Sequence, residues 1–170
     1  MITIYDAPAS EIGPVTLYQL LALRVDVFVV EQHCPYRELD GRDLEPEARL
    51  IWATAPSDAE PVATLRLLRD PDRSWRIGRV ATARAVRSTG IAARLMNHAL
   101  ELTHRYGPGH DIVLDAQVQL AGWYARFGFV ADGPDFDEDA IRHRPMRRPA
   151  DRPPTGIPDS SPDRDTSHSA

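Results

Sequence analysis

The stretch from residue 75 to 106 changes its period once, at a glycine. Trp75–Thr82 has the composition and length of a strand. A short loop follows, Ala83-Arg84-Ala85-Val86-Arg87-Ser88-Thr89, and ends at Gly90. From there Ile91, Leu95, Met96, Ala99, Leu102 and Tyr106 recur at helical spacing, which predicts an amphipathic helix over 90–106. Gly107-Pro108 stops it. A strand fed through a tight turn into an amphipathic helix implies a sheet on which the helix lies. The chain therefore reads as α/β with a mixed sheet.

The remaining segments fit that class. Residues 2–5 read as a first strand. Residues 15–32 read as a helix, with Leu17, Leu20, Leu21, Val25 and Phe28 on one face. Its valines, Val25, Val27, Val29 and Val30, pull toward strand. An acidic loop over 33–47 leaves room for a further short helix. Two strands, 49–55 and 62–68, flank a turn-rich segment at 56–61. A strand at 111–116, a short helix at 119–127, and strands at 129–130 and 142–147 complete the order β-α-β-β-β-α-β-α-β-β. The last 24 residues, 147–170, hold five prolines and one large apolar side chain, Ile157, with four Arg against four Asp. They read as a disordered tail, because they bury too little surface to offset ordering entropy. The domain is residues 1–146.

Charge removes whole classes of function. The formal net charge is -5 over 170 residues, a poor match to phosphate backbones, so no nucleic-acid partner is expected. All 20 cationic residues are Arg. Without lysine there is no Schiff-base chemistry and no Walker-type phosphate loop. Cys34 is the one cysteine, so no internal disulfide is expected. The first residues lack a basic, apolar leader, and no apolar run is long enough to span a bilayer. The expectation is a cytoplasmic protein that does not engage membranes.

The glycine turn carries chemistry of its own. Amide groups at a helix N-terminus attract anions, and the helix dipole adds to the effect. Gly90 and Ala92 would let a pyrophosphate approach the backbone, and Arg87 adds a fixed positive charge. The dinucleotide fingerprint GxGxxG is absent. On these residues alone, the loop is equally well read as a plain turn.

A second stretch bears on that choice: Leu114-Asp115-Ala116-Gln117-Val118-Gln119-Leu120-Ala121-Gly122-Trp123-Tyr124-Ala125-Arg126-Phe127-Gly128-Phe129. Together, Arg87-Ser88-Thr89-Gly90-Ile91-Ala92 and Tyr124-x-x-Phe127-Gly128-Phe129 resemble the acetyl-CoA loop and helix end of the GNAT acetyltransferases. Three blocks narrow the resemblance to the ElaA-type proteins. The first runs from Leu17 through Arg24, Val27-Phe28-Val29-Val30-Glu31-Gln32, Cys34, Tyr36 and Glu38 to Asp40. The second is Ile77-Gly78-Arg79-Val80 with the glycine turn. The third joins Ala116-Gln117 and Tyr124 to Glu138-Asp139-Ala140-Ile141-Arg142-His143 and Met146. Ser88, Ala140 and Arg142 depart from that pattern.

The resemblance implies a fold and a set of roles. The sheet is expected to be mostly antiparallel, with a central parallel pair splayed to admit coenzyme A. Val80, Ala81 and Thr82 would pair with the pantetheine arm. The backbone of Arg87, Ser88, Thr89, Gly90, Ile91 and Ala92 would hold the pyrophosphate, and Gln117 would contact the arm. Tyr124 would protonate the departing thiolate. An amine acceptor calls for a base, and Glu31, Glu38, Glu138 and His143 are the candidates. Arg24, Glu31, Glu38 and Glu138 are the candidate acceptor contacts. Arg24 sits on an apolar helix face, so a structural ion pair is the favoured alternative for it. The acids at 38–47 lack cation-binding spacing and read as a solvated loop, so no metal is expected. The implied activity is transfer of an acetyl group from acetyl-CoA to a small amine or a peptide N-terminus, in a monomer or homodimer. A longer-chain acyltransferase and a silent CoA-binding module are the alternatives.

Overall fold

The computed structural model describes residues 2–55 and 60–150. Most of the expected turn at 56–61, and the expected tail from 151 onward, lie outside the described residues. Among the described residues eight strands form one sheet: β1 (Thr3–Ala7), β2 (Arg49–Thr54), β3 (Pro61–Arg69), β4 (Trp75–Thr82), β5 (Ile112–Gln117), β6 (Val130–Ala131), β7 (Phe136–Glu138) and β8 (Ile141–Arg148). Their order is β1-β2-β3-β4-β5-β8-β6, and β7 pairs with β8 off this path. Every pairing is antiparallel except β4 with β5. A parallel pair needs a crossover, and the helix α2 (Ile91–Tyr106) supplies it.

Alternation along β2 shows how the sheet separates two cores. Leu50 and Trp52 join Leu20 of the helix α1 (Pro14–Val25) and Ile12 on one face. Ile51 and Ala53 join Leu95, Met96, Ala99 and Leu102 of α2 on the other. The period-3.6 stripe read from the sequence is the stripe that α2 buries from Ile91 to Leu102, while Tyr106 at its end is exposed. The short helix α3 (Ala121–Ala125) delivers Tyr124 to the same larger core, beside Phe127 and Phe129.

Helix α2 ends at Gly107 for a reason other than the usual left-handed cap. Its φ is -166, an extended value open to any residue. A Cβ there would sit 2.8 Å from Arg69 Nη2 and 3.0 Å from Trp75 Nε1. The Arg69 guanidinium stacks on the Trp75 ring at 4.2 Å, and Gly107 leaves room for that stack.

Three expectations need correction. The first helix does not stay α-helical to residue 32. It ends at Val25, and Asp26–Glu31 winds as a wider π-helical segment, closed by the Gln32 amide donating to the Val27 carbonyl at 3.1 Å. The β-branched valines crowd an ordinary α-turn there. The loop before β8 contains a strand, β7, joined to it by a tight turn with Asp139 and Ala140 both at positive φ. Alanine in that conformation is rare, so the sequence carried no turn signal. Finally, β8 runs two residues beyond 146. Arg148 is buried and donates to the Phe127 carbonyl at 2.9 Å, and Arg147 pairs with Asp111 and Asp132.

Candidate active site

The parallel pair supplies the opening. β4 and β5 pair only at Trp75 with Ile112 and Arg76 with Val113. Beyond those two rungs the strands separate, and a cleft of about 1010 Å³ occupies the gap. Gly78, Arg79 and Val80 form one wall and Leu114 and Gln117 the other. Phe28, Gln32 and Tyr36 overhang it, Tyr124 closes one side, and Glu138 and His143 come from the β7–β8 hairpin.

β4 carries a bulge at this point. Thr64 faces Ala81 and Arg66 faces Gly78, so Leu65 lies opposite two residues, Arg79 and Val80. The alternation flips as a result. Ile77 and Val80, three residues apart, both pack against the larger core. Arg79 takes the left-handed region, at φ 54.

After β4 the chain makes a short turn at Arg84–Val86 and enters α2 through Ser88 at φ 61 and Gly90 at φ 80. Nothing lies within 4 Å of where a Gly90 Cβ would stand, so the loop presents open backbone ahead of a 16-residue helix. The geometry suits a bound anion. Arg87 donates from Nε to the Thr82 carbonyl at 3.1 Å, and its two terminal nitrogens donate to Glu31 at 2.6 and 2.9 Å. Those bonds hold the Glu31 carboxyl below the usual range, so Glu31 is a poor proton acceptor while the pair is closed.

Tyr124 is 7% exposed and lines the cleft. Edge-to-face contacts with Trp123 and Phe129 fix its ring. Burial pushes its phenol up to about 12, so at neutral pH it holds its proton and can only donate it. His143 faces the same cleft, stacked on Phe136 at 5.7 Å. Its Nδ1 lies 2.9 Å from the Ile141 carbonyl, which can only accept. The Nδ1 proton is fixed there, and the lone pair of the neutral ring sits on Nε2. Glu138 lines the cleft and has no ion-pair partner among the described residues.

Gln117 is part of a chain of amides. Gln119 donates to Gln117 at 2.9 Å, and Gln117 donates to Gln32 at 3.0 Å, tying β5 to the end of the π-helical segment. Cys34 is buried on the cleft wall, and burial, then Asp139 and Glu138, push its thiol up.

The structure thus gathers Val80, Gln117, Tyr124, Glu138 and His143 around one cleft. Thr82 and residues 87–92 continue from it toward α2, while the Ala81 side chain is buried in the sheet. Glu31 meets Arg87 at the end of β4. Arg24 and Glu38 are placed elsewhere. Arg24 is 1% exposed, bonded to Glu38 and Asp43, and neither Arg24 nor Glu38 lines the cleft. The solvated-loop reading of residues 38–43 is overturned. Glu38, Asp40 and Asp43 meet Arg24, Arg66 and Arg79 in a largely buried network. Gln32 and Arg79 were not singled out from sequence, although both lie in the blocks that carry the resemblance. Among the described residues no group of His, Cys, Asp and Glu could hold a metal, and no helix is long and apolar enough to cross a membrane.

Known proteins share this fold. The family model for the acetyltransferase (GNAT) domain matches residues 18–149. The UPF0039 protein of Mycobacterium tuberculosis is 46% identical over 144 residues, 83% of this chain and 89% of its own. Protein ElaA of Escherichia coli is 38% identical over 150 residues, 87% of this chain and 97% of its own. Its crystal structure superposes with a TM-score of 0.81 over 87% of this chain and 99% of that one, at 37% identity. An acyl-CoA N-acyltransferase from Pseudomonas aeruginosa superposes at 0.80, with 39% identity and the same coverage. Sequence likeness and superposition over most of the chain agree, and the chain belongs to the GNAT acyltransferases, in their ElaA-type branch.

Proposed function

We propose that the protein transfers an acetyl group from acetyl-CoA to an amine by direct attack within a ternary complex. The observation that carries this reading is the splay of β4 from β5, with an anion-ready loop at its end and a protonated Tyr124 in the gap. The backbone of Val80, Ala81 and Thr82 would bind the pantetheine arm as an added strand, and Gln117 would meet it from β5. Residues 87–92 would hold the pyrophosphate, which would replace Glu31 on the Arg87 guanidinium. A bulge N–H of β4 would polarise the thioester carbonyl.

Glu138 draws the cationic amine to the mouth of the cleft, where the amine gives one proton to water, and His143 Nε2 accepts the second proton, lost as the neutral nitrogen attacks. The amine nitrogen forms a bond to the acyl carbon, and the carbon–sulfur bond breaks. Tyr124 gives its proton to the leaving thiolate and is reprotonated from water. Arg24 and Glu38 act in the buried network rather than on substrate. The acceptor is a small amine or a peptide N-terminus, the setting is the cytoplasm, and no metal takes part.

The test is thermal unfolding with acetyl-CoA, decanoyl-CoA and free CoA, followed by an amine and peptide panel read by thiol release. Stabilisation by acetyl-CoA and thiol release with at least one amine are expected. No stabilisation by any of the three would refute the reading, and preference for decanoyl-CoA would move it to a longer-chain donor.

A further inference from the structure

Tyr36-x-Glu38-x-Asp40 and the Gly78-Arg79 step of β4 lie far apart in the sequence. The fold brings them together. Arg79 Nε lies 2.7 Å from Glu38 Oε2, and Nη2 lies 3.3 Å from Asp40 Oδ2 and 3.4 Å from the Glu38 carbonyl. The Tyr36 ring faces the same guanidinium at 5.0 Å, and the Tyr36 hydroxyl donates to Glu38 at 2.6 Å. The acids are themselves anchored. Arg24 holds Glu38 and Asp43, and Arg66 grips Asp40 with two bonds of 2.7 and 2.8 Å. Arg24, Glu38 and Arg66 are each less than 5% exposed. The side chain of Arg79 is thus clamped to a rigid, charge-balanced block.

The backbone of Arg79 is the part under strain. It sits at the bulge, at φ 54, a conformation that a residue with a Cβ rarely adopts. Such strain persists only where the surroundings over-determine it, and it collects at functional positions. Here the surroundings are two ion pairs, one hydrogen bond to a carbonyl and the aromatic face, and the position is the cleft wall where β4 leaves β5.

We propose that Arg79 is the positioning residue of the thioester site: its contacts with Glu38, Asp40 and Tyr36 hold the β4 bulge in the left-handed conformation that turns a backbone N–H toward the acyl carbonyl. Arg79 itself touches no reacting atom and acts through the backbone. The inference rests on the acyl-CoA reading above and adds the source of its oxyanion geometry. It also accounts for the acidic loop, whose carboxylates serve as anchors for a bulge about 40 residues away in sequence.

The experiment compares the wild type with Arg79→Val and Arg79→Gly. Valine resists positive φ, whereas glycine accepts it without the clamp. Isotope-edited infrared spectroscopy of bound acetyl-CoA, labelled at the acyl carbonyl, reads polarisation directly. Titration calorimetry gives affinities for acetyl-CoA and free CoA. The wild type should shift the carbonyl band to lower frequency. Arg79→Val should lose the shift and weaken acetyl-CoA about three- to tenfold relative to free CoA, the loss expected for one hydrogen bond. Arg79→Gly should recover the shift, which a merely stabilising ion pair would not allow. Arg79→Ala replaces the valine variant if that protein does not fold. An unchanged band in the valine or alanine variant would overturn the inference, as would equal loss in both that variant and glycine. A wild type that binds acetyl-CoA with an unshifted band overturns this inference alone. A wild type that binds no acetyl-CoA overturns the proposed function with it.

Discussion

Replacing Arg24 by methionine separates a structural role from a substrate role. The side chain is 1% exposed, and its partners are Glu38 Oε1, the Glu38 carbonyl and both oxygens of Asp43. Methionine fills most of the volume but leaves two buried carboxylates short of a cation. Breaking one side of a buried ion pair costs about 3–5 kcal/mol. Neither acid is wholly abandoned, because Arg79 Nε remains 2.7 Å from Glu38 and Arg66 Nη1 remains 3.4 Å from Asp43. The network starts with three cations and three anions and ends one cation short. The lower end applies, about 3 kcal/mol. For a chain of this length that is a fall of roughly 6–12 °C in Tm. Urea unfolding at constant slope is the assay, with acetyl-CoA binding as the control, since Arg24 does not reach the cleft. Arg24→Lys should recover only part of the loss, because one ammonium cannot fork to two acids. A stability loss below about 1 kcal/mol, accompanied by a higher acceptor KM, would refute the reasoning and return Arg24 to the substrate.

Other outcomes follow from single contacts. Tyr124→Phe should keep acetyl-CoA affinity and lower kcat by about 100-fold or more, measured by thiol release. Burial sets this phenol at about 12, and the acid form is the working form. Its contribution is therefore complete at neutral pH and fades only as pH rises toward that value. A wild-type kcat profile falling near pH 9 and absent from Tyr124→Phe would contradict this. Gly107→Ala should destabilise by about 1–3 kcal/mol by thermal melt, because the new methyl meets the Arg69–Trp75 stack. Ser88→Gly should stabilise by up to about 1 kcal/mol, since φ 61 suits glycine better than serine.

What the sequence made legible was local. The α2 stripe, the turn at Gly90 and the run from Tyr124 to Phe129 each lie within one segment, and their periods report burial directly. The splay of β4 and β5 was legible only through family resemblance, since nothing in either strand says where pairing stops. The acids at 38–43 were misread because their partners lie elsewhere. Asp40 meets Arg66 across 26 residues and Arg79 across 39. Without that pairing, an acid-rich loop with a proline and a glycine has the composition of a solvated one. Glu31 and Arg87, 56 residues apart, escaped for the same reason. β7 was missed because Asp139 and Ala140 make a turn that their identities do not advertise.

The two rungs between β4 and β5 have a mechanical consequence. The backbone ladder is nearly severed there, yet one apolar core runs under both sides, from Ile51 and Leu65 to Leu114, Phe129 and Met146. Side chains, more than amides, weld the halves. A seam held this way could open without unzipping any strand, which would ease the passage of the long, flexible arm of the proposed acyl donor. Amide exchange would report it: the outer β4 amides that face the gap should exchange fast in the empty protein and slow sharply once a ligand supplies the missing strand, while those bonded to β3 and the α2 amides stay protected throughout.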